Sequence, residues 1–323
     1  MSRRRKNPSL TYYKVFMSRN IFLLLTLLCG CFLGCLQKEQ SIVTIDPAKT
    51  AAPTVQVLSV HNPNTLRVAL TSVITPRAGY SYYKMLVEYL GEKLGREISL
   101  LTREKYAELN ALLNAEKIDL AFICGQPYVD AHDATGVQLL VVPQVRGFAR
   151  YQSYLIVPTD SPAKGFADLR GKSFAFTDPD SNSGWLVPTV ELARMKLRPE
   201  SFFSNITYTY AHDLSIKAVA QKLVDSATVD SLIWDYLHTT EPEVTGNTKI
   251  IWKSPRYGIP PVVVPKGLDP KLKEELQHFF LNLHMDVRGR AILKGMMIEK
   301  FVLEKDSAYD SIRAMKKFLR EQN

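Results

Sequence analysis

Four consecutive residues, Ser181-Asn182-Ser183-Gly184, carry the strongest chemical signal in the chain. They follow an apolar run, Lys172-Ser173-Phe174-Ala175-Phe176, and a turn, Thr177-Asp178-Pro179-Asp180, and they open an amphipathic stretch beginning at Trp185. A strand, a small hydroxyl-bearing turn and a helix start together make an anion pocket from the backbone itself. The first N–H groups of a helix have no internal partner, and the helix dipole leaves partial positive charge there. Hydroxyls at that point add neutral donors, and glycine lets the backbone approach a ligand closely. The same residue types also form ordinary helix caps, so the motif alone leaves both roles open.

Two further groups sit where strands end. His212-Asp213 follows the run at 206–210, and Asp230-Ser231 follows the run at 226–229. His212 would donate to an oxyanion; as a surface or capping residue it would do nothing of the kind. Asp230 would accept from a protonated ligand or orient a neighbour. Asp213 reads as the cap of a helix starting at Leu214. Thr71-Ser72 follows the first strand, Tyr80, Tyr82 and Tyr83 open the next helix, and Tyr128 sits in the turn after the third strand. Tyrosine offers a hydroxyl donor and a rigid apolar wall, although the spacing of Tyr83 also suits a core stripe. A Ser183/His212/Asp213 hydrolase triad is disfavoured, because no Gly-x-Ser-x-Gly elbow is present and sequence neighbours point apart. There is no phosphate-binding P-loop and no Gly-x-Gly-x-x-Gly. The six histidines lack ligand spacing with carboxylates, so no metal and no cofactor are expected.

These residues need a scaffold, and the chain alternates strands with helices. Strand patterns at 65–70, 97–101, 118–124, 139–142 and 153–157 are interleaved with helix patterns at 82–94, with Gly95 as its stop, and 104–115, and with a helix start at 125–128. The pattern then restarts. Strands are expected at 172–176, 206–210, 226–233, 249–252 and 261–264, and helices at 185–197, 214–224, 270–285, 287–293 and 306–320. Such alternation implies α/β lobes whose sheets are mostly parallel and flanked by helices. Two lobes are expected, with chain crossings near 154–157 and near 252–264. The expected boundaries are 65–155 plus 255–323 for lobe 1 and 156–254 for lobe 2. Ligands of open α/β sheets bind beyond the carboxyl ends of strands, here between the lobes.

The N-terminus reads as an export signal. Arg3, Arg4, Arg5, Lys6, Lys14 and Arg19 precede an apolar stretch at 21–28 and the cysteine-bearing run Cys29-Gly30-Cys31-Phe32-Leu33-Gly34-Cys35. That stretch is short for a membrane span and has signal-peptide order. A small residue before Cys resembles a lipoprotein processing site, with Gly34-Cys35 preferred over Gly30-Cys31. Residues 1–34 are then the signal peptide, Cys35 (or Cys31) the lipidated residue and 35–64 a flexible tether. Met17 is an alternative start, and an uncleaved anchor is the competing reading; both export the remainder. Residues 1–34 hold six of the 41 Lys and Arg and no Asp or Glu, leaving 35 basic against 32 acidic residues, a net +3. The overall basicity of the chain is therefore no argument for a nucleic-acid partner. Only Cys124 remains in the body, in an apolar strand, as a buried inert thiol.

Four segments resemble the phosphonate, phosphate and phosphite substrate-binding lipoproteins of ABC importers. They are Leu66-Arg67-Val68-Ala69-Leu70 with Tyr82-Tyr83, and Ile118-Asp119-Leu120-Ala121-Phe122 with Gly125-Gln126-Pro127-Tyr128. The others are Asp168-Leu169-Arg170-Gly171-Lys172 through Asp180-Ser181-Asn182-Ser183-Gly184, and His212-Asp213 with Val224-Asp225 and Val229-Asp230-Ser231. The resemblance spans roughly residues 65–300. It implies a two-lobed type II periplasmic-binding-protein fold with hinge crossings between the lobes. It implies that Ser181, Asn182, Ser183 and Gly184 bind a tetrahedral phosphorus oxyanion, that Tyr82 or Tyr83 and Tyr128 wall the pocket, that His212 donates and that Asp230 lines the far side. Asn182 departs from the Thr or Ser common there. The returning loop Ser254-Pro255-Arg256-Tyr257-Gly258-Ile259-Pro260-Pro261 lacks the acid found in members that bind aminoalkyl phosphonates, which favours a compact anion: phosphate, phosphite or a small phosphonate.

The expected function is a lipid-anchored, monomeric, non-enzymatic solute-binding component that closes on a small oxyanion and presents it to a membrane ABC permease. The rivals are a ligand sensor for a membrane kinase and a secreted hydrolase using His212 and Asp230.

Overall fold

The computed structural model describes residues 64–71, 77–103 and 105–322. The signal peptide, the Cys35 or Cys31 lipidation site, the Met17 start, the tether up to residue 63 and Ser72 lie outside the described residues.

A first α/β run comprises β1 (Thr65–Thr71), α1 (Arg77–Leu94), β2 (Glu97–Arg103), α2 (Tyr106–Asn114), β3 (Leu120–Phe122), α3 (Gly125–Thr135) and β4 (Gln138–Gln144). The chain crosses through β5 (Arg150–Tyr151) into β6 (Ser153–Pro158) and β7 (Ser173–Phe176). A π-helical turn, Asn182–Leu186, then runs into α4 (Val187–Arg194). α5 (Pro199–Phe202), β8 (Asn205–Tyr208), α6 (His212–Ala220), β9 (Ser226–Asp230), α7 (Ser231–Thr240), α8 (Pro242–Thr245) and β10 (Thr248–Lys253) complete the second half. The chain returns through β11 (Tyr257–Gly258) and β12 (Val262–Val264), and then forms α9 (Pro270–Asn282), α10 (Val287–Gly295), β13 (Lys300–Val302) and α11 (Asp310–Gln322).

Two sheets result, ordered β13-β4-β12-β3-β1-β2 and β10-β6-β9-β7-β8, and the antiparallel pair β5-β11 joins the crossings. The two-sheet α/β architecture agrees with the sequence pattern: β1, β2, β3 and β4 run one way in the first sheet and β7, β8, β9 and β10 in the second, while the remaining strands make each sheet mixed. Strands linked by helices run one way, as helical crossovers require: β1 with β2 and β3, and β7 with β8 and β9. The strands that cross between halves arrive without a helix to turn them round. β6 therefore opposes β9 and β10, and β12 opposes β3 and β4. The residues at 154–157 lie inside β6, past the crossing, and Ser153 already pairs with Asp230 in the second sheet.

Periodicity explains the cores. Leu86, Val87 and Leu90 of α1 are buried against Leu66, Val68 and Leu70 of β1 and Phe280 of α9. The second half closes over Leu155, Phe174, Phe176, Phe202 and Phe203, with Phe174 and Phe203 stacked at 4.3 Å. The strand expected at 226–233 stops at Asp230, whose Oδ1 accepts the Leu232 N–H at 2.7 Å and caps α7. Asp213 does not cap α6: the helix starts two residues before Leu214, at His212, with Ala211 at the cap position.

Candidate functional site

Three adjacent parallel strands, β9, β7 and β8, end on the same edge of the second sheet. Each delivers one of the expected groups: β9 ends in Asp230, β7 leads into Ser181–Gly184, and β8 leads into His212 at the start of α6. Ser181, Asn182, Ser183, His212 and Asp230 are all fully buried.

The Ser181–Gly184 turn combines both roles open to it. Ser181 is a helix cap, its Oγ accepting the Gly184 N–H at 3.0 Å, so that N–H is turned away from a ligand. Gly184 is required by close packing, since a Cβ there would stand 2.4 Å from Thr177 Oγ1 and 2.6 Å from Thr177 Cβ. Ser183 is pinned through its carbonyl, which accepts from Ser153 Oγ at 2.7 Å. Its own Oγ lies near the Tyr151 hydroxyl but makes no hydrogen bond of proper geometry. Asn182 Nδ2 donates to the Tyr151 hydroxyl at 2.9 Å and leaves Oδ1 unpaired. With the amide turned over, the Tyr151 hydroxyl donates instead and the NH2 becomes the free group.

His212 is held as a neutral donor. The Asp230 backbone N–H donates to His212 Nδ1 at 3.1 Å, so the ring proton resides on Nε2. Thr177 Oγ1 also lies 3.1 Å from Nδ1. Burial lowers the imidazole from 6.5 to about 3, so it stays uncharged at neutral pH, and its Nε2 has no partner. Burial acts oppositely on Asp230, pushing its carboxyl from 3.8 up to about 7, against the lowering effect of the Leu232 N–H; its Oδ2 is unpaired. Each unsatisfied buried polar atom costs about 1–3 kcal/mol. Unpaired atoms at three neighbouring strand ends mark a site built for a polar guest rather than for stability.

Of the expected tyrosines, Tyr83 meets Asp230: it packs edge-on against Phe122 at 5.3 Å, and burial with the Asp230 charge raises its hydroxyl well above the ordinary value. Tyr82 lies instead against Gly295 of α10, within electrostatic reach of Tyr236. Tyr128 is corrected from pocket wall to core. It is buried beside Tyr309, and its hydroxyl donates to Asp306 at 2.8 Å, because α3 turns it away from the strand ends. Arg256 is exposed and stacks on Phe148 at 4.4 Å. Cys124 is free and buried, its thiol pushed up to about 11 by desolvation. Sequence reading missed Thr177, Tyr151 and Ser153, which hold the site residues in place. Their one signal was position, at the end or start of a strand or immediately after one.

Beside Asp230 and Tyr83 lies a cavity of about 250 Å3 between the two halves. At its edge Arg146 pairs with Asp235 at 2.7 Å. Among the described residues no group of three or more His, Cys, Asp or Glu could hold a metal, and no helix is long and apolar enough to cross a membrane.

The arrangement is suited to holding an oxyanion with neutral donors and one shared proton. It is poorly suited to acid–base catalysis of the triad kind, which needs Nδ1–H to donate to a carboxylate; here Nδ1 is an acceptor for a backbone N–H.

Comparison with known proteins agrees with this geometry. A family model described as ABC transporter, phosphonate, periplasmic substrate-binding protein matches residues 68–309. The chain is 31% identical over 232 residues to the phosphonates-binding periplasmic protein of Escherichia coli (strain K12), covering 70% of this chain and 68% of that protein. A binding-protein component of an ABC phosphonate transporter from Pseudomonas aeruginosa superposes with a TM-score of 0.75 at 24% identity, over 80% of this chain and 87% of that one. PhnD1 from Prochlorococcus marinus (MIT 9301), solved in complex with methylphosphonate, gives 0.72 at 20% identity, over 80% and 99%. These likenesses establish the two-lobed type II periplasmic-binding fold, and with the family match they show that the chain belongs to the phosphonate periplasmic substrate-binding proteins of ABC transporters.

Proposed function

We propose that this protein captures a phosphorus oxyanion in the cleft between its lobes and delivers it to an ABC permease without transforming it. The observation that carries the reading is the set of unpaired, fully buried atoms Ser183 Oγ, His212 Nε2 and Asp230 Oδ2 at three adjacent strand ends. In this reading Ser183, Asn182 and His212 hold the anion, and Asp230 shares a proton with it. Ser181 and Gly184 shape the turn, and Tyr83 closes the opposite wall. Neutral donors suit a dianion in a desolvated cleft, since charge-assisted hydrogen bonds are about twice as strong as neutral ones. Lobe 1 is taken as 65–152 plus 255–323 and lobe 2 as 153–254, the expected boundary at 155 moving back because β6 already pairs in the second sheet, with closure about the β5-β11 crossings. The protein is exported as a monomer and anchored through lipid on Cys35 or Cys31.

The test is calorimetric titration of the full chain, unfolded and refolded to strip bound ligand, with phosphate, phosphite, methylphosphonate, 2-aminoethylphosphonate and sulfate. Micromolar binding of a phosphorus oxyanion, about −8 kcal/mol, is expected. Silence across the panel refutes the assignment.

A further inference from the structure

The cavity beside Asp230 has a character the oxyanion site does not need. It is walled by Pro143, Val145, Leu232, Ile233, Met296 and Ile298, and Tyr83 and Asp230 form the boundary it shares with the strand-end donors. Its other charged side chains are engaged: Arg146 and Asp235 with each other, and Glu299 with the Gly147 N–H at 3.0 and 3.2 Å. An ammonium placed there would have to displace Arg146 from Asp235 or the Gly147 N–H from Glu299 to gain a carboxylate of its own, and Asp230 faces the anion. At about 250 Å3 the space is far larger than a methyl substituent requires. Taking roughly 30 Å3 as one water's share of liquid volume, it corresponds to about eight water-sized groups.

Resting on the oxyanion reading of the adjoining strand ends, we infer that the preferred cargo is an organophosphonate carrying an uncharged apolar substituent of several carbons, seated in this cavity, rather than a compact anion or an aminoalkyl phosphonate. The substituent leaves the phosphorus past Tyr83 and Asp230 and lies between the Val145 segment of lobe 1 and the Leu232–Ile233 segment of lobe 2. Lobe closure would then bury alkyl surface from both sides, so substituent length contributes directly to affinity.

The experiment is titration of the full chain with methyl-, n-butyl-, phenyl- and 2-aminoethylphosphonate, repeated on Val145→Trp, which fills the cavity, and Ile233→Gln, which makes it polar. Burial of a methylene contributes roughly fourfold in affinity, so n-butyl should exceed methyl by up to about sixtyfold, with a more negative heat-capacity change. Both variants should retain methylphosphonate binding within about threefold while losing most of the butyl advantage, as expected for substitutions at half-buried positions clear of the anion donors. Methylphosphonate binding as tightly as, or more tightly than, n-butylphosphonate overturns the inference and leaves the oxyanion reading standing. So does an equal loss of methyl and butyl binding in variants whose thermal unfolding is unchanged. Binding of phosphate or phosphite but of no phosphonate overturns this inference alone; silence toward phosphate and phosphite as well overturns the oxyanion reading, and this inference with it.

Discussion

Replacing Asp230 by Asn tests the electrostatics of the site without any ligand. The carboxyl is fully buried and pushed from 3.8 to about 7, chiefly by desolvation. The folded chain therefore holds a proton that the unfolded chain has lost, and the group's effect on stability becomes steadily less favourable as pH rises from about 4 to 7. At 1.36 kcal/mol per unit the full penalty is about 4 kcal/mol. Asn keeps the acceptor for the Leu232 N–H but cannot ionise, so it escapes that penalty. Its unpaired NH2 adds a cost of about 1–3 kcal/mol that does not vary with pH. The clean quantity is consequently the change in the stability difference between mutant and wild type. It should move by about 3 kcal/mol in the mutant's favour between pH 4.5 and pH 8, equivalent to roughly 6–12 °C in Tm for a chain of this size. His212 contributes the opposite slope: lowered to about 3, it favours folding increasingly as pH rises from about 3 to 6.5. The wild-type profile thus conceals two large terms that nearly cancel, and the substitution exposes one. Urea unfolding of both proteins at pH 4.5, 6 and 8 measures it. A difference constant across the three pH values, within about 0.5 kcal/mol, would mean that Asp230 is ionised in the folded protein, and the shared-proton argument would fail.

Three further outcomes are expected. Ser183→Ala should weaken phosphorus-oxyanion binding about ten- to hundredfold with little change in stability, since it removes a donor to a charged group; unchanged affinity for every member of the panel refutes the pocket assignment. Gly184→Ala drives a methyl into Thr177 and, through the Thr177–His212 contact, disturbs the histidine; a stability loss of about 1–3 kcal/mol in chemical denaturation should accompany reduced affinity. Because the bound anion and Asp230 hold one proton between them, phosphonate affinity should fall about tenfold per pH unit above pH 8. By the same count sulfate, which carries no proton at these pH values, should bind only on acidification, and calorimetry in buffers of differing ionisation enthalpy reads the proton count directly.

The candidate cluster was legible where polar residues sat at a strand end. Ser181–Gly184, His212 and Asp230 each follow an apolar run of strand length, and the ends of parallel strands are where open sheets present ligands. Tyr128 obeyed the same positional rule and still went to the core, because whether a helix-opening tyrosine faces the cleft depends on helix rotation, fixed here by Tyr309 and Asp306 from the far end of the chain. The strand at 226–233 was read too long because Leu232 and Ile233 extend the apolar run, although Asp230-Ser231 is a helix-cap signal within it. The support from Tyr151 and Ser153 was not legible: both belong to the crossing segment, and their bonds to Asn182 and Ser183 span some thirty residues. Mixed strand directions escaped for a related reason, since alternation along the chain fixes the βαβ direction but not the direction in which a returning strand enters.

The place of β12 bears on how the molecule is made. It lies between β3 and β4, in the middle of the first sheet, yet it is synthesised only after every strand of the second sheet. Until it arrives, β3 and β4 expose facing edges with nothing to pair, a state prone to mispairing. The second sheet is contiguous in sequence and can close first; the first must wait for the chain to return. Vectorial emergence therefore yields a half-built protein with one finished half and one open half. In such an order the distant pairing of β12 with both neighbours completes the first sheet only after the second sheet's strands are all available, and non-local pairings of this kind are intrinsically slow.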